Sequence, residues 1–239
     1  MEEVFGKFKR LSLKLIDKNI KRTPEGHETI EKAPLIGGKL SVLSGVFNPF
    51  LTNVSPFLAK NLSVRWNGEE FLDIGCGTGF LSILLAKKGA FVLAVDKNPK
   101  AIECIHKNIK RFKLEKRISS KKSDLFDNIG NKKFDTIVFN PPLAPFKIKF
   151  SKKSNLRGFA VAILDPGFKV LKRFFRESKK YLKTKGRIIL VYTNLAENIG
   201  LIKNPLVDRL CKKNNFEYKI LDNKTFHGET YFVYEITPD

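Results

Sequence analysis

Phe71-Leu72-Asp73-Ile74-Gly75-Cys76-Gly77-Thr78-Gly79-Phe80-Leu81 decides how this chain folds. An apolar run that suits a buried strand is broken by three glycines at alternate positions, and apolar residues resume at a helix start. Glycine lets the backbone turn sharply and come close to a ligand, while the new helix offers free N–H groups. The same alternation continues downstream. Strands are expected near 70–74, 91–95, 117–121, 134–139 and 187–193, and helices over 79–88, 98–112, 166–183 and 203–213. In the second helix Ile102, Ile105, Ile109 and Phe112 share one face, as in a helix laid on a sheet. From Phe216 the pattern changes to two strands, 216–226 and 230–236, joined by a tight turn at His227-Gly228-Glu229.

These elements make an α/β chain: a doubly wound, mostly parallel, seven-stranded Rossmann-like sheet closed by a C-terminal antiparallel hairpin. Upstream, Val4, Phe8, Leu11 and Leu15 recur at helical spacing opposite Lys7, Arg10, Lys14 and Lys18, which predicts an amphipathic helix over 2–20. Turn-rich sequence follows at Thr23-Pro24-Glu25-Gly26 and Gly37-Gly38, then Gly45-Val46-Phe47-Asn48-Pro49 and a short helix from about Ser55 to Leu62. The chain therefore divides into a short helical and loop extension, 1–66, placed to form a substrate lip, and a main domain, 67–239.

The 239 residues carry 45 Lys and Arg against 24 Asp and Glu, a net charge of +21, with 42% hydrophobic residues. Enough apolar sequence is present for a full core, which excludes a disordered polyelectrolyte. The surplus suits a polyanion such as RNA, or else reflects a Lys-rich overall composition. Cys76, Cys104 and Cys211 lie far apart without metal or disulfide spacing, and His27, His106 and His227 show no ligand pattern, so no metal is expected. With no signal-peptide core and no apolar run of bilayer length, a cytoplasmic protein without a membrane partner is expected.

The glycine loop points to a nucleoside, because Asp96 ends the next strand 21 residues beyond Gly75, where a carboxylate can take both ribose hydroxyls. A dinucleotide loop would read G-x-G-x-x-G and face a pyrophosphate; this one reads G-x-G-x-G behind an acid, Asp73. A carboxylate there repels phosphate and suits an ammonium group, which favours S-adenosylmethionine. Asp73-Ile74-Gly75-Cys76-Gly77-Thr78-Gly79 resembles the first motif of class I S-adenosylmethionine-dependent methyltransferases, and Val95-Asp96-Lys97-Asn98-Pro99 resembles the second. The resemblance implies cofactor contacts from Asp73, Gly75, Cys76, Gly77, Gly79, Asp96 and Lys97. It also implies contacts from Asp124 and Leu125 to the adenine edge, with Phe126 on its face, and from Asn140.

After the fourth expected strand comes Asn140-Pro141-Pro142-Leu143. Two prolines fix the backbone and donate nothing, so the Asn140 side-chain oxygen and the Pro141 carbonyl are held out as paired acceptors, the complement of a planar NH2 group. Gripping both hydrogens directs the nitrogen at a methyl carbon that a sulfonium already activates, so no general base is needed. The tetrad resembles the (Asn/Asp)-Pro-Pro-(aromatic) motif of enzymes that methylate amino or amide nitrogen. With Gly45 to Pro49, the likeness is to HemK/PrmC-type and small-domain methyltransferases over roughly 40–193. Leu143 departs from the usual aromatic.

From Leu143 to Leu164 there is no acid, and Lys147, Lys149, Lys152, Lys153 and Arg157 alternate with Phe146 and Phe150, a mixture that suits single-stranded RNA. A second basic run, Lys107 to Lys122, reads as a solvated face. The leading reading is methyl transfer to an exocyclic base amine in rRNA or tRNA. The alternatives are a glutamine amide of a ribosomal protein or translation factor, and a small metabolite.

Overall fold

The computed structural model describes residues 2–147, 162–226 and 228–239. The chain opens with helix α1 (Glu2–Arg22), whose Ile16 is buried together with Ala144, Phe146, Ile163, Leu195 and Ile199. The amphipathic helix thus covers a small core of its own, and its position is fixed by what it buries.

The turn-rich sequence that follows is a β-hairpin, β1 (Glu28–Ala33) paired antiparallel with β2 (Gly38–Leu43). Sequence patterning missed it because one of the two inward positions of β1 holds a charge: Glu31 and Ala33 are buried where an apolar alternation would be sought. The hairpin is tied to the main domain through Asn108, which is wholly buried. Its Oδ1 accepts from the Ser41 N–H (2.8 Å), and its Nδ2 donates to the carbonyls of Ser41 (2.8 Å) and Thr78 (2.9 Å). Lys107 and Arg111 are exposed, as expected of a solvated face, and at that surface they also hold Glu28 and the Ser41 hydroxyl.

Helix α2 (Val54–Lys60) leads to β3 (Glu70–Ile74), α3 (Phe80–Lys87), β4 (Phe91–Asp96), α4 (Pro99–Phe112), β5 (Ile118–Lys122) and β6 (Phe134–Phe139). Then come α5 (Lys169–Ser178), β7 (Leu182–Thr193), α6 (Leu195–Asn198), α7 (Leu206–Lys213) and the strands β8 (Phe216–Phe226) and β9 (Glu229–Pro238). The sheet runs β5-β4-β3-β6-β7-β9-β8, parallel through β7 and antiparallel at β9 and β8. One face packs Phe57, Leu58, Ile83, Leu84, Ile105 and Ile109 from α2, α3 and α4; the other packs Leu171, Phe174, Phe175, Leu206 and Leu210 from α5 and α7.

Two boundaries differ from expectation. The helix expected over 166–183 is α5 flanked by short 3-10 turns, and its last residues already belong to β7, where Leu182 pairs with Phe134. The helix expected from 203 begins only after Pro205, whose ring pre-sets the entry. No helix among the described residues is long and apolar enough to cross a membrane.

Candidate active site

The strand order reverses between β3 and β6, and open α/β sheets place their sites at the carboxyl ends of strands around such a point. Register then dictates who meets whom. Ile74 pairs with both Val95 and Phe139, so the glycine loop, Asp96 and Asn140 emerge side by side; Asp96 pairs with Lys122, which brings Ser123 to Leu125 alongside.

Gly75, Gly77 and Gly79 all have positive φ, at 67°, 53° and 82°. Gly79 leaves no room for a side chain, since a Cβ there would lie 2.4 Å from Ile105 Cγ1. The turn is pinned by the Cys76 N–H donating to the Val95 carbonyl (3.0 Å), and by Asp96, whose two oxygens accept from the N–H groups of Gly77 (3.0 Å) and Asn98 (2.8 Å). A carboxylate has about four lone-pair positions, so Asp96 retains acceptor capacity for a ligand. Burial raises its pKa and the backbone donors oppose that.

Asp73 is 1% exposed and accepts a 2.5 Å bond from the Ser82 hydroxyl. Burial pushes its carboxyl up to about 7, against the Ser82 bond, with Asp96 adding repulsion. Its ionised form has no cation paired with it among the described residues, and it lies at the wall of the cavity. Asp124 is exposed and pairs with Arg173 at 3.7 Å; Leu125, at φ 50°, has its carbonyl held by the Ser123 hydroxyl (2.9 Å).

Asn140 donates from Nδ2 to the Ser55 hydroxyl of α2 at 3.0 Å, which leaves Oδ1 as the remaining acceptor of the amide. Pro141 and Pro142 are buried against it, and Leu143 packs between the two main core clusters. A cavity of about 500 Å³ is lined by all these groups: Asp73, Gly75, Cys76, Gly77, Asp96, Lys97, Asp124, Leu125 and the tetrad Asn140 to Leu143. Residues upstream of β3 also line it: Leu15, Lys14 and Lys18 of α1 and the segment Gly45 to Ser55. That segment is clasped by a polar network. Glu31 accepts from the Arg22 guanidinium and from Asn48 Nδ2 (2.8 Å), while the Asn48 N–H donates to Asn19 Oδ1 (3.0 Å).

Two expected contacts are corrected. Phe126 is buried in stacked contact with Phe174 and Tyr181, so it is a core ring and cannot lie on a ligand's face. Phe146 is 1% exposed because it covers the apolar side of α1, which removes it from the substrate surface. Lys147 is exposed, and is absent from the cavity wall. Lys149, Phe150, Lys152, Lys153, Arg157 and His227 lie outside the described residues. Among the described residues no group of three His, Cys, Asp or Glu could hold a metal.

Ser55, Ser82 and Asn108 went unrecognised in the sequence. Ser82 had a local signal, a polar residue in the otherwise apolar first turns of α3; Ser55 and Asn140 are 85 residues apart and nothing local links them.

Residues 38–222 match the family model described as methyltransferase small domain. A Methanocaldococcus jannaschii protein provisionally named a protein N5-glutamine methyltransferase is 37% identical over 171 residues, 70% of this chain and 83% of that one. The ribosomal RNA small subunit methyltransferase C of Buchnera aphidicola is 29% identical, over 74% of this chain and 48% of its own length. This chain thus spans most of the first relative and about half of the second. In fold, it resembles the Thermus thermophilus 16S rRNA N2 G1207 methyltransferase solved with S-adenosylmethionine and guanosine (TM-score 0.61, 22% identity, covering 89% of this chain and 50% of that one).

Proposed function

The chain belongs to the methyltransferase small domain family, and on that premise we propose that its cavity brings a planar NH2 group against Asn140 and Pro141 for methylation. It is an S-adenosylmethionine-dependent N-methyltransferase. The cofactor supplies an electrophilic methyl group on a sulfonium. The residues present fit it: Asp73 is a buried acid with no paired cation among the described residues, the left-handed Gly75 and Gly77 leave backbone bare at the wall, and Asp96 has acceptor capacity to spare.

The rest is the work of the chain. Asp73 binds the ammonium, Asp96 the ribose hydroxyls, and Asp124 and Leu125 the base edge. Lys97 and the backbone of Gly75, Cys76 and Gly77 line the same pocket, while Gly79 shapes the turn against Ile105. Asn140 Oδ1 and the Pro141 carbonyl accept the two hydrogens of the target NH2, which aims the nitrogen and stabilises the positive charge it acquires. The proton leaves the product cation to water, so no histidine is required. The observation that carries this reading is the Asn140 amide, held through Nδ2 by Ser55 on a residue that lines the cavity.

For substrate, the favoured reading is a glutamine amide in a protein of the translation apparatus. It is supported by the relative matched along most of both chains, and by Leu143, which offers no flat surface to a base. A specific observation favours the RNA reading as well: Lys14 and Lys18, one helical turn apart, reach the cavity wall, where they would suit backbone phosphates. Labelled S-adenosylmethionine incubated with the protein and an extract of cells lacking it separates the two. Label recovered as N-methylglutamine in protein is expected; label in RNA alone would overturn the glutamine reading in favour of the other.

A further inference from the structure

A side-chain amide has two ends of nearly equal size, and the torsion that swings it is broad, so an asparagine grips an NH2 group reproducibly only if something holds its other end. In this chain that partner is Ser55. Its hydroxyl accepts the Asn140 Nδ2–H at 3.0 Å, it is 4% exposed, and it sits at the second position of α2, in the extension. A serine in a helix usually turns its hydroxyl to solvent or back to the preceding turn. Ser55 directs its hydroxyl across to the loop after β6, onto the one side chain of the tetrad that can bind substrate through a polar group.

We infer that Ser55 is a positioning residue for methyl transfer: it fixes the plane of the Asn140 amide so that Oδ1 meets the target nitrogen. The inference rests on the reading of Asn140 given above. It also assigns the extension a part in the chemistry, since α2 thereby reaches the reacting nitrogen through Asn140.

The test compares Ser55→Val with Ser55→Thr, which have the same shape and differ in the hydroxyl. Methyl transfer is followed in single turnover, alongside S-adenosylmethionine affinity and thermal stability, in wild-type and Asn140→Ala backgrounds. Ser55→Val should slow transfer about tenfold, the worth of one hydrogen bond, while Ser55→Thr stays within about twofold of wild type. Cofactor affinity and stability should be alike in the two variants. In the Asn140→Ala background, where the amide is gone, Ser55→Val should have no further effect on rate.

Equal rates for the Val and Thr variants would overturn the inference. So would a loss of cofactor affinity parallel to the loss of rate, because Ser55 would then be a cofactor contact, and so would an undiminished Val effect on the Asn140→Ala background. If Asn140→Ala itself transferred methyl groups at the wild-type rate, the reading of Asn140 would fail first, and that outcome is distinguishable.

Discussion

Asp73 gives the protein a pH signature. Its carboxyl is raised from the ordinary 3.8 up to about 7, chiefly by burial. A carboxyl whose folded value exceeds its unfolded value binds its proton more tightly when folded, so stability is lost as pH rises from about 4 to about 7. The displacement is worth about 4 kcal/mol once pH exceeds the folded value. Asparagine keeps the shape and the oxygen that accepts from Ser82, and removes the charge. Asp73→Asn should therefore make the cofactor-free protein more stable than wild type at about pH 7.5, by up to about 4 kcal/mol, with little difference near pH 4. If the ionised carboxylate pairs with the ammonium of S-adenosylmethionine, affinity should rise about eightfold between pH 5.5 and pH 6.5, following the ionised fraction in a window below the range where the ligand's own amine titrates. The Asn variant should bind weakly with a flat profile. Urea unfolding and titration calorimetry at several pH values read both effects. The same slope in both proteins, or a variant less stable than wild type at neutral pH, would refute the reasoning.

Gly79→Ala should destabilise the domain by about 2–5 kcal/mol, combining a left-handed residue with an overpacked Ile105; Gly26→Ala, at a similar φ of 74° with nothing near, should cost about 1–2 kcal/mol. Equal losses in urea unfolding would mean that Ile105 yields freely. Glu31→Gln should loosen the clasp on the cavity lip at a cost of about 1–3 kcal/mol, visible as faster amide exchange in α1. Because Arg22 holds the Glu31 carboxyl below its usual range, the same loosening should appear in wild type as pH falls below that range, and unchanged exchange would refute it.

The centre of the parallel sheet was legible because three of its strands end in a local signal: three glycines after β3, Asp96 at the end of β4, two prolines after β6. The β1–β2 hairpin was not, since Glu31 is buried through partners on α1 and at Asn48 that no periodicity encodes. The aromatic residues misled for a related reason. Phe126 and Phe146 follow motif residues closely in sequence, yet a ring beside a site is as readily consumed by the core, and both are. The tetrad's residue types were readable, whereas the serine that orients Asn140 became visible only when α2 was folded against the loop after β6.

The central claim, that Asn140 grips the target nitrogen, is tested most directly by the rate of methyl transfer in Asn140→Ala at saturating S-adenosylmethionine, with label uptake from cell extract as readout. A loss on the order of a hundredfold is expected, in a protein that remains folded. A rate within a few-fold of wild type would contradict it.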